Sequence, residues 1–183
     1  MNLSNRFFIG IDPEPTGAIA IIEYSDTGKE SITIADTPID NNVKERWILL
    51  DKIIPKYKLH GIAVIEKMQS RPRQNIKAMD KLLYSAGIWE GLLYTSCQFL
   101  QNIYLIYPVT WKAYYGLSSD KTESFYLAKK LYPIASDFLR VSSTVSDKNV
   151  YNRSEALLLA DYAKRTYLGE TEANEETSEE EES

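Results

Sequence analysis

Three carboxylates end apolar segments of this chain, and acids in that position are candidates for chemistry. Asp12 closes the run Phe8-Ile9-Gly10-Ile11 and precedes Pro13; Glu66 closes Ile62-Ala63-Val64-Ile65. Glu155 stands immediately before Ala156-Leu157-Leu158-Leu159-Ala160, in the first turn of a helix-like stretch. A charged group against apolar chain is costly unless something offsets it, and a hard divalent cation with oxygen ligands does so. Two such ions about 4 Å apart activate a water and stabilise the leaving oxygen of a phosphodiester. Each acid alone also reads as an ordinary strand or helix terminus. It is the three following one logic that points to a site.

Basic residues fall beside these acids. Lys67, Arg71 and Arg73 follow Glu66 in a segment broken by Pro72 and read as a phosphate clamp. Lys112, Lys121 and Arg153 are the next candidates for phosphate contact, although isolated basic residues are commonly plain surface charge. Met68 is placed to wedge between bases or to pack under its own loop. Trp111 is expected in the core, with Lys112 reaching out beside it.

Other chemistries have little to build on. Cys97 is the sole cysteine, so neither a disulfide framework nor a thiolate zinc cluster is available, and a reducing compartment fits. His60, the sole histidine, reads as a polar residue at the start of a buried strand rather than as a base or ligand. No apolar run is long enough to span a bilayer, and the first residues lack an apolar signal region, so an intracellular, non-membrane protein is expected. The formal net charge of −5 is dominated by residues 170–183, which hold eight glutamates and no Lys or Arg. Without them, 18 acids face 21 Lys and Arg, and a body of about +3 suits a polyanionic partner. The expectation is one domain over 1–169 and a solvated, disordered acidic tail over 170–183.

The elements that must position these groups can be read from periodicity. Arg6 to Asp12, Gly17 to Tyr24 and Glu30 to Ala35 read as three strands, with Asp26-Thr27-Gly28 as a hairpin turn. Val43, Trp47, Leu50, Ile53 and Ile54 mark the inner face of a helix ending before Pro55. Gly61 to Ile65 is the short continuous apolar run of a central parallel strand. A long helix over Asn75 to Phe99, a strand over Asn102 to Tyr107, a helix over Lys121 to Leu131 and a last helix over Asn152 to Leu168 follow. In the long helix, Tyr84, Trp89 and Tyr94 read as core or interface aromatics, and Gly87 and Gly91 share a face open to close packing. Three antiparallel strands followed by alternating helices and strands predict one α/β domain with a mixed sheet.

Several of these segments also carry a family resemblance. Gly10-Ile11-Asp12-Pro13-Glu14-Pro15-Thr16-Gly17-Ala18 closely resembles the opening strand and turn of RuvC-type Holliday-junction resolvases, particularly their phage and organellar branch. The resemblance continues through Val64-Ile65-Glu66-Lys67, Ser70-Arg71-Pro72-Arg73-Gln74, Pro108-Val109-Thr110-Trp111-Lys112, Asp120-Lys121 to Ala128, Leu131-Tyr132-Pro133 and Asn152-Arg153-Ser154-Glu155-Ala156-Leu157-Leu158, in the family's order. It implies an RNase H-like fold, a homodimer, and nicking of four-way or other branched DNA with two Mg²⁺ ions, for which Mn²⁺ substitutes. Asp12 would then bridge both ions, with Glu66 and Glu155 completing the site.

In one place the chain departs from that pattern. The family usually carries a further acid or a histidine shortly before the last-helix glutamate, where this chain has Val150 and Tyr151. Asp147, a little upstream, is the candidate for that fourth place, with Asn152 or water as alternatives. Asp161 lies about 9 Å further along the helix axis than Glu155 and some 120° round it, and is read as part of a solvated face. Two rival readings stand beside this one. A non-catalytic junction-binding protein is suggested by the altered segment at Val150. An ATP-binding domain of the actin and sugar-kinase type opens with a similar strand and turn, but needs a second lobe and a later glycine-rich segment that this sequence lacks.

Overall fold

A computed structural model describes residues 6–25, 27–38, 41–55, 60–68, 75–96, 100–142 and 145–181. Strands β1 (Arg6–Asp12), β2 (Ala18–Tyr24) and β3 (Glu30–Asp36) form a meander. Helix α1 (Val43–Ile53), β4 (His60–Glu66), α2 (Ile76–Ser96), β5 (Leu100–Ile106), α3 (Pro108–Tyr114), α4 (Lys121–Leu131), a 3₁₀ turn at Pro133–Ala135 and α5 (Asp147–Glu181) follow. The five strands make one mixed sheet in the order β3-β2-β1-β4-β5. β1, β2 and β3 pair antiparallel, whereas β1 with β4 and β4 with β5 pair parallel.

Both sheet faces are covered, which is why β1 and β4 read as unbroken apolar runs. Alternation along the strands sends Phe8, Ala20, Ile22, Ile62 and Val64 to the side of α3, α4 and α5. Phe7, Ile9, Ile11, Ile19, Ala63 and Ile65 face α1 and α2 instead, where Leu50, Trp89 and Leu93 meet them. Glycine is required at one point of closest approach. A Cβ on Gly10 would lie 2.1 Å from the Ala156 carbonyl oxygen and 2.2 Å from the Ala160 nitrogen, so α5 rests backbone-on-backbone against β1.

Several helices differ from their expected form. The inner face of α1 is set by Arg46 and Leu50, while Val43 and Trp47 are about half exposed. Arg46 is fully buried because its guanidinium stacks 5.2 Å over the Trp89 ring and donates to the Ser85 carbonyl and to Asn41. Trp89 is core as expected, but Tyr84 and Tyr94 are exposed. Among the described residues, a Cβ on Gly87 or Gly91 would meet nothing within 4 Å, so close packing against those residues does not explain them. Helix α3 was not expected; its seven residues are too few for a periodic signal, and Pro108 at its first position is the local cue. Helix α5 begins earlier than Asn152 and its backbone continues past Gly169 to Glu181, where a disordered tail was expected. Glutamate and alanine are good helix formers, and the packed first half supplies the nucleus from which such a segment extends. Among the described residues, no helix is long and apolar enough to cross a membrane.

Asp161 requires the largest correction. It is fully buried, not solvated. Its Oδ1 accepts from the Tyr132 hydroxyl at 2.5 Å and lies 3.3 Å from the Lys164 ammonium. Its Oδ2 accepts from the Tyr115 hydroxyl at 2.8 Å and from Arg165 Nε at 2.6 Å. Burial alone would raise its pKa, but the hydrogen bonds from Tyr132, Arg165 and Tyr115 outweigh it and hold the carboxyl below its ordinary range. Asp161 is thus a structural tie from α5 to the ends of α3 and α4.

Candidate active site

Strand parity places the first two acids. Phe8, Gly10 and Asp12 alternate onto the α5 side of β1, and Ile62, Val64 and Glu66 onto the same side of β4. The parallel register aligns Ile11 with Ile65, so Asp12 and Glu66 leave neighbouring strands at one level. The seating of Ala156 over Gly10 sets the height of α5 and brings Glu155 to the same end. Asp12 and Glu155 are buried, and Glu66 is half-buried. The turn after Asp12 is tight. The Gly17 amide donates to the Glu14 carbonyl at 2.8 Å, and a Cβ on Gly17 would stand 2.0 Å from the Asp12 carbonyl oxygen.

Each acid has distinct surroundings. The Glu14 amide donates to Asp12 Oδ1 at 3.1 Å, whereas the buried Oδ2 has no hydrogen-bond partner among the described residues. Trp111 Nε1 donates to Glu66 Oε2 at 2.9 Å. The ammonium of Lys112 lies 2.7 Å from Glu155 Oε1, and that of Lys121 lies 2.8 Å from Oε2. Lys121 also donates to Asn152 Oδ1 at 3.0 Å, and Asn152 Nδ2 donates to the Thr16 carbonyl at 2.7 Å, tying α4, α5 and the first turn together.

The electrostatics follow from this crowding. Burial, then the charge of Glu14, raises the Asp12 carboxyl well above the usual range; Glu66 and Glu155 add to the effect and Lys121 opposes it. Burial, then the charge of Glu155, pushes Glu66 up to about 7, against the Trp111 hydrogen bond and the charges of Lys112 and Lys121. Lys121 is held above its ordinary value: burial lowers it, but Asp12 and Glu155 more than compensate.

The donor chemistry fits a hard divalent cation. The available donors are carboxylate oxygens, one of them buried and unpartnered, and their mutual repulsion is the kind that a dication relieves. Among the described residues, however, no three acids stand close enough together to enclose an ion as placed. Both Glu155 oxygens face lysines.

The remaining sequence candidates are scattered. Lys112 does not reach out to solvent, since it turns inward to Glu155. Arg153 grips Asp36 through Nε at 2.6 Å and Nη2 at 2.7 Å and donates to the Phe138 carbonyl, a structural fork rather than a free cation. Lys67 lies 4.6 Å over the Tyr107 ring. Arg71 and Arg73 lie outside the described residues, while Met68 is half-buried. Asp147 is exposed in the first turn of α5 and shares no hydrogen bond or ion pair with the three acids. Two participants were missed. Glu14 pairs with Lys121 at 3.7 Å and Lys148 at 3.8 Å. Trp111 was expected only as core. The signal for Glu14 was its place between Pro13 and Pro15, two positions after Asp12.

Meander, parallel pair and the last helix across the sheet define the RNase H-like fold. The structure is similar to "T. thermophilus RuvC in complex with Holliday junction substrate", with a TM-score of 0.50 and 16% sequence identity, covering 84% of this chain and 90% of that one. No protein-family model matches the sequence. No curated protein matches it either.

Proposed function

We propose that this chain is a divalent-metal-dependent endonuclease that nicks four-way or other branched DNA. The observation that carries the reading is the convergence of Asp12, Glu66 and Glu155 at one end of β1, β4 and α5, with Asp12 Oδ2 buried and unpartnered. The RNase H-like fold, shared with a protein solved on a Holliday junction, is the supporting context.

In this reading Asp12, Glu66 and Glu155 hold Mg²⁺ or Mn²⁺, which when bound supplies an activated water and stabilises the leaving oxygen of the phosphodiester. The chain's own residues do the rest. The Glu14 amide holds one Asp12 oxygen and leaves the other toward the site. Trp111 fixes Glu66. Lys112 and Lys121 offset the carboxylates' repulsion of an approaching phosphate. Lys67, Arg71 and Arg73 extend the binding surface beyond Glu66. The chain acts as a homodimer, so that two of the four strands of a junction meet equivalent sites. Residues 1–169 form the nuclease body, with 170–183 an acidic appendage.

A second reading, junction binding without cleavage, is favoured by one observation: both Glu155 oxygens are paired with lysines. A four-way junction, a linear duplex and an RNA–DNA hybrid, each with and without Mg²⁺, separate the two. Nicks in the junction alone, only with Mg²⁺, support the nuclease. Tight junction binding with no nick in Mg²⁺ or Mn²⁺ supports the second reading.

A further inference from the structure

The acid site lies at the ends of β1 and β4 on the α5 side of the sheet, yet one of its contacts runs to α2 on the opposite side. The Ser85 side chain is fully buried in the middle of α2 and donates its hydroxyl hydrogen to the Pro13 carbonyl, across 72 positions of sequence. Pro13 C=O and Glu14 N–H belong to one planar trans peptide unit, whose two polar ends point in opposite directions. Fixing the carbonyl end therefore fixes the direction of the amide end. That amide is the donor to Asp12 Oδ1 at 3.1 Å.

Ser85 is anchored in its turn. Its own carbonyl accepts from Arg46 Nη1 at 3.1 Å, and Arg46 Nη2 donates to Asn41 Oδ1 at 2.7 Å. Asn41, held at a positive φ of 53°, donates back to the Lys81 carbonyl of α2 at 3.1 Å. Burying a whole guanidinium whose Nε has no partner among the described residues is costly, and a costly arrangement persists where the surroundings enforce it. We infer that Ser85 is a positioning residue for the acid site: by holding the Pro13–Glu14 peptide it directs the Glu14 amide onto Asp12 Oδ1 and leaves Oδ2 to face the site. The local claim concerns Asp12 alone; its consequence for metal affinity rests on the reading of Asp12 as a metal ligand.

The full chain is used for the test. Exchange of the Glu14 backbone amide is followed by NMR in metal-free protein, Mn²⁺ affinity by calorimetry, and junction affinity in Ca²⁺. The variants are Ser85→Ala, Ser85→Thr, Asp12→Asn and, as a core control on the same helix but outside the relay, Leu93→Ala. Removing one hydrogen bond is worth a factor of roughly 2 to 12 in an equilibrium. Ser85→Ala should therefore speed Glu14 exchange and weaken Mn²⁺ binding by about that factor while leaving junction affinity unchanged. Ser85→Thr, which keeps the hydroxyl, should restore both, and Leu93→Ala should move neither beyond its effect on global stability. If Ser85→Ala does not fold, Ser85→Cys, of similar size and a weak donor, takes its place. Wild-type Glu14 exchange in a folded Ser85→Ala protein overturns the inference. So does faster exchange with unchanged Mn²⁺ affinity, provided Asp12→Asn lowers that affinity. If Asp12→Asn binds Mn²⁺ like wild type, the metal-site reading fails, and the exchange data still decide the relay.

Discussion

Glu66 offers a quantitative test of the site's electrostatics before any substrate is added. Its carboxyl titrates near 7 in the folded protein against 4.5 for an ordinary glutamate, chiefly because it is buried and secondly because Glu155 is charged. A group whose folded value is raised stabilises the fold while it is protonated, and that contribution is lost as pH rises from about 4.5 through 7. Each tenfold change in proton affinity is worth about 1.4 kcal/mol, so the full difference is on the order of 3 kcal/mol. Partial exposure and the coupling to Glu155 reduce a realistic figure to about 2 kcal/mol. For a chain of this length that is roughly 4–8 °C in melting temperature. Thermal melts in EDTA should therefore show wild type gaining stability between pH 8 and pH 5.5, apart from general acid effects. Glu66→Gln should melt higher than wild type at pH 8, because its amide carries no charge and its oxygen still accepts from Trp111. It should lose Glu66's share of that slope, the raised Asp12 carboxyl keeping its own. Mg²⁺ should raise the wild-type melting temperature at pH 8 and leave Glu66→Gln nearly unmoved. A Glu66→Gln protein that melts at or below wild type at pH 8, with the same pH slope, would refute the reasoning.

Other substitutions separate chemistry from scaffolding. Asp12→Asn and Glu155→Gln should each lower junction cleavage by roughly 100-fold or more in a nicking assay while junction affinity in Ca²⁺ stays at wild type; cleavage at the wild-type rate removes that residue from the site. Asp161→Asn should cost about 2–4 kcal/mol by denaturant melt, because it removes the buried charge that accepts from Tyr115 and Tyr132 and pairs with Lys164 and Arg165. Arg153→Ala should cost about 1–3 kcal/mol and leave the salt dependence of junction binding unchanged, since its charge is already matched by Asp36. Gly10→Ala should cost upwards of ~3 kcal/mol, read by the same melts, because its methyl would stand within 2.2 Å of two backbone atoms of α5.

What the sequence disclosed and what it withheld divide along physical lines. Strand ends and apolar runs are local, so β1, β4 and the terminal places of Asp12 and Glu66 were legible, and Glu155 with them. Residues whose surroundings come from distant parts of the chain were not. Asp161 lies at a distance and phase from Glu155 that keep it out of the acid cluster, but its burial depends on Tyr115, Tyr132 and Lys164, which no periodicity brings together. Arg46 shifts the buried face of α1 away from Val43 and Trp47, while Leu50, Ile53 and Ile54 still pack inward, because Trp89 and Ser85, from another helix, receive its guanidinium. Lys112 and Arg153 were legible as cations beside the site, but the carboxylates they grip, Glu155 and Asp36, are fixed by how helices dock on the sheet.

The order in which the three acids leave the ribosome has a consequence of its own. Asp12 and Glu66 are made early, on a sheet whose face with Phe8, Ile62 and Val64 lies open until α5 covers it. Glu155 arrives with that covering helix, and its height is set only when Ala156 settles over Gly10. Chains emerge N-terminus first at several residues per second, so for seconds of synthesis the nascent protein carries two of its three acids and no finished core. Assembly of the acid cluster and closure of the sheet are then the same late event, and a chain that stops short of α5 lacks both Glu155 and the cover of that face.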